Sequence, residues 1–554
     1  MDEVAIPSIG DTALARDRLV RHFRQVLLWP LQLVSSRSQD AHARHWELLG
    51  EDSPWREVID EYTGDAGNFG ERHYNEFVSF LPYVQRFLYG EGRSQRGGAG
   101  IGSPMRVFRR HDMVAVRMVT SPGAAAITLQ IKHIDLYFFY DLDVALLNVE
   151  VFGDGLTLMQ AEEVMYRFGR GYPAGWTPDG QALHCLHQLE WLGVDGRVLA
   201  ASDAQQRELF LSHVAQHRAP RVATHWAFVL EPLVAEHSER EGALRFRQIE
   251  YYRMPMMAYL AVDAPHTLER ADFIRLGLVT GASQRDATLP YADSYLADFE
   301  RRFCYDRFWA DAGAAPNTRY LCNGYSLIVV GDATSTFYRC AERGVLAQFR
   351  HQHFLLFLIA HSQKAALLMF SDGLSRAMRD LDLRDPESIK RFKRSIRLAF
   401  EGFLRFTHRY WFHEISDQAQ VHALFQLCSG HLGLDPLYAE VKDRIAGMSS
   451  YLDADSLRRQ ANTVVRLTVV TLFGLIGTVS TGFLGMNLIA AADEPLPLRV
   501  LGFSIVFVMA TAVTLYTIVK SRRLSDFLDA LSDERLSMLA KVKAFMAVWR
   551  RRGS

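Results

Sequence analysis

Two long apolar runs near the C-terminal end dominate the pattern of hydrophobic and polar positions. Residues 467–492 are 26 positions without a charge, and residues 500–519 are 20 more. Because a helix rises about 1.5 Å per residue, each run can cross a hydrocarbon core of about 30 Å. We therefore predict a transmembrane hairpin, with a first span at 467–488, an outer loop at 489–499 and a second span at 500–519.

Basic residues flank this hairpin on the side away from its loop. Three precede the first span and three follow the second: Arg458, Arg459, Arg466, Lys520, Arg522 and Arg523. The loop contains only Arg499 as a basic residue. Since basic flanks stay on the cytoplasmic side, we expect an integral protein of an inner or plasma membrane with both termini in the cytosol.

The pattern before the hairpin changes twice. Residues 1–95 predict a helical region with aromatic-rich segments, and the glycine-rich residues 90–103 predict a linker. The following domain, 104–340, combines patterns typical of strands with patterns typical of helices. Its predicted strands are 113–119, 127–133, 136–140, 144–152, 249–259 and 325–331, with a helix at 156–166. Strands and helices in this mixed order predict a cytosolic α/β or α+β domain.

Residues 344–435 predict a helical cytosolic region. The apolar run 354–360 is only seven residues long, so it predicts a buried helix and not a membrane span. Pro386 begins another helix. Its apolar residues fall on one face, at spacings of three and four: Ile389, Phe392, Ile396, Ala399 and Phe403.

A long helix is predicted to feed the first span. Asp435 and Pro436 are typical of an N-cap followed by a first helical position, and no other proline occurs before Pro495. The helix is predicted over 436–484, with a cytosolic stalk at 436–466. An apolar stripe for packing runs along the stalk: Leu437, Val441, Ile445, Met448 and Leu452. Residues 520–554 predict the basic cluster and an amphipathic C-terminal tail.

Composition and motifs narrow the function classes. The net charge is −1, with 62 basic and 63 acidic residues, so we expect no nucleic-acid polymer as a partner. Five scattered cysteines favour a reducing cytosol. No hydrolase, phosphate-loop or zinc-protease motif occurs, and the protein is expected not to be an enzyme. Two small clusters either bind a soft metal or are structural: His184, Cys185 and His187, and His351 with His353.

The triplet Gly485, Met486 and Asn487 closes the first predicted span. In this position it resembles the CorA family of divalent-cation channels, together with the long helix, the acidic outer loop, the second span and the inner basic cluster. The resemblance covers about 85 residues. It implies a CorA-like fold, a homopentamer in the lipid bilayer and Mg²⁺ as the transported ion and possible regulator. Leu484 stands where the family commonly has Tyr, and Ala461 where it often has Asn.

One face of the first span has the residues that such a pore would need. Its members follow at spacings of 3, 4, 4, 3 and 4: Val464, Leu467, Thr471, Leu475, Thr478 and Gly482. The resemblance implies that this face lines the axis of the pentamer. The threonines would then offer hydroxyl oxygens, and the leucines apolar constrictions that gate by dewetting. Alternatively, Gly474, Gly477, Gly482 and Gly485 mark helix-packing contacts.

Asn487 is the proposed selectivity filter, with Gly485 and Met486 beside it. Mg²⁺ gives up water reluctantly, so a ring of neutral carboxamides suits a hydrated ion better than a ring of carboxylates. The alternative role for Asn487 is a helix cap. Asp493 and Glu494 would form an outer acidic ring that concentrates cations, or only a solvated loop end. The inner basic cluster, Lys520, Arg522 and Arg523, acts either on conduction or only as a topology anchor.

The sequence thus predicts a channel for passive, potential-driven permeation of divalent cations, most readily Mg²⁺, gated by its cytosolic domain. One alternative is a ligand-gated membrane effector of the same fold that senses a cytosolic signal other than Mg²⁺. Another is a non-conducting membrane scaffold. Thr471, Thr478 and Asn487 disfavour a scaffold, because a plain anchor needs no polar side chains in lipid.

Overall fold

The computed structural model describes residues 18–35, 44–58, 71–91, 102–250, 252–282, 289–310, 317–382, 385–485 and 495–532. The chain divides into two compact units, Met1–Gly447 and Met448–Ser554, which we call the first and second units. The described part combines a mixed β-sheet with helices, in agreement with the predicted α/β or α+β class. The CorA fold and the pentamer remain predictions.

The first unit is built on a sheet of fourteen strands among its described residues. The strands are β1 Leu19–Ser35, β2 Trp55–Glu57, β3 Met105–Arg110, β4 Met113–Val119, β5 Ile127–Phe139, β6 Val144–Thr157, β7 Gln188–Gly193, β8 Val198–Ala201, β9 Val234–Ala235, β10 Leu244–Gln248, β11 Met256–Val262, β12 Cys304–Tyr305, β13 Thr318–Cys322 and β14 Ser326–Asp332. Their main order is β12-β13-β14-β11-β1-β6-β5-β4-β7-β8. Most pairs are antiparallel, whereas β11 with β14 and β9 with β10 are parallel.

Helices cover the sheet and continue beyond it. They are α1 Glu71–Val78, α2 Pro82–Tyr89, α3 Leu158–Arg167, α4 Arg207–His217, α5 Thr224–Leu230, α6 Arg270–Leu278, α7 Asp293–Leu296, α8 Phe299–Phe303, α9 Thr336–Arg339, α10 Val345–Gln348, α11 Phe354–Arg379, α12 Pro386–Arg409, α13 Ala419–Leu432, α14 Leu434–Gly485 and α15 Leu496–Ser532. A π-helical turn, Phe349–His353, joins α10 to α11. Short 3₁₀ turns occupy His45–Leu49 and Pro265–Thr267.

Strand β1 corrects the prediction that residues 1–95 are helical. It lies in the middle of the sheet, between β6 on one side and β11 and β10 on the other. A strand buried on both faces has no alternation of apolar and polar residues, so its apolar run resembles that of a buried helix. Pro30 is tolerated there because it lies between the end of the β11 ladder at Leu27 and the start of the β10 ladder at Leu31.

The other predicted strands are largely confirmed, with changed boundaries. The predicted strand 113–119 is β4, and 325–331 lies one residue before β14. The two strands predicted at 127–133 and 136–140 are one strand, β5, whose register shifts between Ile131 and His133. The predicted strand 249–259 is wrong in its first half, because β11 begins only at Met256.

The helical region packs on the sheet through α11. Residues 356–360 are buried, which confirms that the short apolar run is a core helix. Helix α11 contacts β1 and β6 as well as α12 and α13. Helix α12 buries the predicted stripe through Phe392, Ile396 and Phe403. Its N-cap is Asp385, whose carboxylate accepts bonds from two backbone N–H groups of the first turn.

A buried ion cluster lies between the sheet and the π-helical turn. The Arg24 guanidinium donates a hydrogen bond to Glu150, and the Arg350 Nε and His133 Nε2 lie 3.4 and 3.8 Å from its carboxylate. Burial alone would raise the pKa of Glu150, but the guanidinium charges of Arg24 and Arg350 contribute to lowering it overall. Burial also lowers the pKa of the neighbouring His133. The Glu150 carboxylate on β6 therefore stays ionised although it is buried.

The predicted long helix is present as α14, a single helix of 52 residues. It begins at Leu434, so Asp435 lies in the first turn and is not the N-cap that we predicted. Val441 and Ile445 are buried, as the predicted packing stripe requires. Helix α15 extends past the predicted second span to Ser532, and the rest of the predicted tail, 533–554, lies outside the described residues.

Candidate functional site

Two described helices are long and apolar enough to cross a membrane. One is the continuous segment Val345–Arg379, whose apolar window is 78% buried inside the first unit, so it is a core helix. The other is Leu496–Val513 of α15, with a mean hydropathy of 2.0 and no buried share. Leu496, Val508 and Val513 expose 63% or more of their surfaces. A water-soluble protein rarely leaves so large an apolar surface open, whereas a bilayer would cover it.

Helix α15 is partly covered along one narrow face. Gly502, Val506 and Ala510 are half-buried, and their neighbours between these positions are exposed. A spacing of four places the three residues on one side of a helix. The small side chains at two of these positions permit close helix packing, as in membrane helix pairs.

Helix α14 has two different faces in the second unit. Ile476 and Ser480 are buried, whereas the six predicted pore-lining residues are exposed: Val464, Leu467, Thr471, Leu475, Thr478 and Gly482. At about 100° per residue, the centre of the exposed set lies about 160° from the buried pair. The face predicted to line a pore is thus opposite the covered face, and it is open in the single chain.

The threonine hydroxyls on α14 are bonded to their own helix. The Thr471 Oγ1 donates to the carbonyl oxygen of Leu467 at 2.9 Å, and the Thr478 Oγ1 donates to that of Gly474 at 2.9 Å. These bonds use the hydroxyl proton, so the oxygen lone pairs stay available to a cation or a water. The same bonds also make a threonine tolerable in lipid.

Three glycines of α14 have open space around them in the described part of the chain. A Cβ atom built on Gly474, Gly477 or Gly482 meets none of its atoms within 4 Å. Packing between copies of the chain, which would fill this space, stays a prediction. The alternative role of these glycines is close contact between helices. In that role, a second copy of the chain would have to fill the open space.

The predicted filter falls at the end of the described helix. Gly485 is the last residue of α14, and Met486, Asn487, Asp493 and Glu494 lie outside the described residues. The inner basic cluster lies on the backbone of α15, past the uncharged run: Lys520, Arg522 and Arg523. The structure therefore gives the helices that lead to the filter and leaves the filter itself as a prediction.

The first predicted metal cluster is held by separate hydrogen bonds. The ring of His184 bonds to the Tyr166 hydroxyl, and the His187 Nδ1 lies 3.1 Å from the Gln181 side-chain oxygen. Cys185 is buried, which raises its pKa to about 12 and keeps the thiol protonated. These separate hydrogen bonds fit the structural alternative for the cluster.

The second predicted metal cluster is likewise divided between different partners. His351 pairs with Glu76 at 2.9 Å, whereas His353 is fully buried and its pKa is lowered to about 3. Within the described residues, no group of three or more His, Cys, Asp or Glu side chains is arranged to hold a metal ion. A structural role accounts for these histidines as well.

A large cavity in the first unit was not predicted from the sequence. We call it the basic cleft; its volume is about 1230 Å³. Its lining contains five arginines, Arg44, Arg86, Arg106, Arg405 and Arg409, and the aromatic residues Tyr83, Phe87, Tyr140, Trp411 and Phe412. These residues come from separate segments of the chain, so no local pattern indicates the cleft. Only the four-residue spacing of Arg405 and Arg409 on α12 was a sequence signal.

Comparison of the chain with protein-family models, curated proteins and solved structures found no match. The geometry defines the class only coarsely, as a sheet-and-helix unit followed by two long helices. In the described part of the chain, one of these helices, α15, contains an exposed apolar segment that could span a membrane.

Proposed function

We propose that the protein is a CorA-like channel for passive permeation of divalent cations, with Mg²⁺ as the principal ion. The observation that carries this proposal is the two-faced α14, whose polar-and-apolar stripe is exposed opposite a covered face. Self-association through exposed stripes would enclose a pore and remove them from lipid. Thr471 and Thr478 would then present oxygen lone pairs to the pore.

The filter in this proposal is the ring of Asn487 side chains just beyond the end of α14. A carboxamide oxygen attracts a hydrated Mg²⁺ without the strong binding of a carboxylate, so the ion can leave as readily as it enters. Asp493 and Glu494 would raise the cation concentration at the outer mouth. The membrane potential would then drive ions inward without ATP or a coupled ion.

The test is Mg²⁺ flux into proteoliposomes loaded with a Mg²⁺-sensitive dye, for the wild type and for Asn487→Ala. Asn462→Ala is the matched control, because Asn462 lies on α14 about 180° from the predicted pore face. We expect the Asn487 variant to lose flux or ion selectivity and the Asn462 variant to retain both. Unchanged flux in Asn487→Ala would refute the filter, and a silent wild type with an intact oligomer would refute the channel.

A ligand-gated effector of the same architecture is the second candidate, and the basic cleft favours it. A channel regulated by Mg²⁺ alone has no need for a cavity lined by five arginines, which attract anions. The two candidates share the membrane helices and differ in the signal. Flux measured with and without an added anionic ligand separates them.

A further inference from the structure

The basic cleft has the size and chemistry of a ligand site. We propose that it binds a phosphorylated ligand of nucleotide or dinucleotide size that carries an aromatic base, and that the loop containing Trp411 and His413 transmits this binding to the beginning of α14. The binding part is independent of the proposed channel function, whereas the gating part rests on it.

The first support is the balance of size and charge. The volume of about 1230 Å³ exceeds the range of about 300–1,000 Å³ typical of small-molecule pockets. Its lining contains five arginines and three carboxylates, those of Glu91, Asp141 and Glu414. Arg44 and Arg106 are also paired with Glu47 and Glu57. The cations best placed to meet a ligand are therefore Arg86 and the half-exposed Arg409. Guanidinium groups bind phosphate oxygens through paired hydrogen bonds. The cleft therefore favours an anion with several phosphate oxygens.

The second support is how two arginines are held in place. Arg405 and Arg409 lie one turn apart on α12, and both reach the carboxylate of Asp141, at 3.7 and 2.7 Å. Asp141 is mostly buried, with 9% of its side chain exposed, so it anchors the pair. The Arg409 side chain nevertheless remains 54% exposed. Asp141 thus holds the Arg409 guanidinium in position before any ligand arrives.

Arg86 adds a further cation to the lining of the basic cleft. It lies on α2, is exposed, and makes no ion pair with any residue in the described part of the chain. Tyr83 and Phe412 lie beside it with ring centroids 5.5 Å apart, and Trp411 and Tyr140 line the same cavity. Bases stack on such rings, with about 1–3 kcal/mol per base. The combination of fixed cations and aromatic rings favours a nucleotide over inorganic phosphate.

The third support is the route from the cleft to α14. Trp411, which lines the cleft, stacks on Tyr438 of α14 with ring centroids 4.4 Å apart and an interplanar angle of 14°. The His413 Nδ1 lies 3.4 Å from the Asp435 carboxylate in the first turn of α14. A ligand that moves this loop therefore acts directly on the beginning of the long helix.

The binding test uses the full chain in lipid nanodiscs and isothermal titration calorimetry. The probes are ATP, 5′-phosphorylated diadenylate, tripolyphosphate without a base, and adenosine without phosphate. We expect at least one nucleotide to bind tenfold or more tightly than tripolyphosphate and adenosine. Arg86→Glu should weaken that binding tenfold or more. The matched control Arg197→Glu, at an exposed arginine outside the cleft, should leave it unchanged.

Three results would overturn the binding part: no nucleotide binds, tripolyphosphate binds as well as the nucleotide, or both arginine variants behave alike. Flux in proteoliposomes with the bound nucleotide then tests gating. A change in flux that Arg86→Glu abolishes supports the gating part, and a nucleotide that binds without changing flux overturns it. Absence of flux under every condition would refute the channel and the gating part together, while the binding result would stand.

Discussion

Burial of His361 predicts that acid weakens the first unit. The ring is fully buried in α11, and its Nε2 lies 3.1 Å from the Gly324 carbonyl oxygen. Its Nδ1 has no hydrogen-bond partner among the residues that the structure describes. Burial, reinforced by the charge of Lys364, lowers the pKa of His361 to about 3. The unfolded chain has the ordinary value of about 6.5, so below that pH it binds a proton that the folded protein does not. The free energy of unfolding therefore falls as the pH falls from about 6.5 towards 3.

The variant His361→Gln removes this proton-binding site and retains an N–H donor for the Gly324 carbonyl. Each pH unit below the unfolded pKa costs about 1.4 kcal/mol, so between pH 7.5 and 5.0 the wild type should lose about 2 kcal/mol more than the variant. For a unit of 447 residues, with an unfolding entropy of about 2.1 cal/mol/K per residue, this corresponds to about 2 °C in Tm.

The assay is thermal unfolding of the full chain in detergent, followed by intrinsic fluorescence at several pH values from 5.0 to 7.5. The control is His111→Gln, because His111 is exposed and its replacement should leave the wild-type pH dependence unchanged. His353 and His225 are also buried, and their pKa values are lowered to about 3 and about 4. They should account for the pH dependence of Tm that remains in the His361→Gln variant. Parallel pH profiles for wild type and His361→Gln would refute the reasoning.

Two further substitutions test the packing of the sheet. Glu150→Ala leaves buried guanidinium groups without their carboxylate, so we expect the free energy of unfolding, measured with denaturant, to fall by about 3–5 kcal/mol. The control is Glu57→Ala in an exposed ion pair, which should cost less than about 1 kcal/mol. An equal effect of the two would contradict the buried-pair argument. Gly331→Ala puts a Cβ atom into the space occupied by the buried Tyr338 ring, so it should lower Tm. Gly430→Ala, where the added Cβ lies in open space, should not lower it. A stable Gly331 variant would show that this ring moves freely.

Local sequence patterns were enough to predict elements that bury only one face. Helix α12 was predicted from a stripe that the structure buries, and β4 from its alternation and β-branched residues. Strand β1 was misassigned because its partners are distant in sequence and cover it on both faces. Its identity as a strand comes from pairing with β6 and β11, and no short window of sequence contains that information.

The candidate sites differ in the same way. The predicted pore-lining residues repeat every three or four positions along one helix, so the 19 residues 464–482 were enough to place them on one face. The structure leaves that face exposed, and its role in a pore stays a prediction. The basic cleft joins Arg44, Arg86, Arg106 and Arg409 from separate segments, and only the folded sheet brings them together. A site built from distant segments depends on tertiary packing, so no periodic sequence pattern predicts it.

Helix α14 is the element through which these two sites could communicate. At about 1.5 Å per residue its 52 residues extend about 78 Å, from the turn beside Trp411 to the start of the predicted filter. Between Pro436 and Gly474 the sequence has a single glycine, Gly447, so most of this length resists bending. A stiff helix transmits a displacement of its first turn along its axis. Trp411 and His413, which line the basic cleft, contact Tyr438 and Asp435 at the beginning of that helix. In the proposed channel, the same continuity would give a signal bound by the first unit a direct route to the predicted pore.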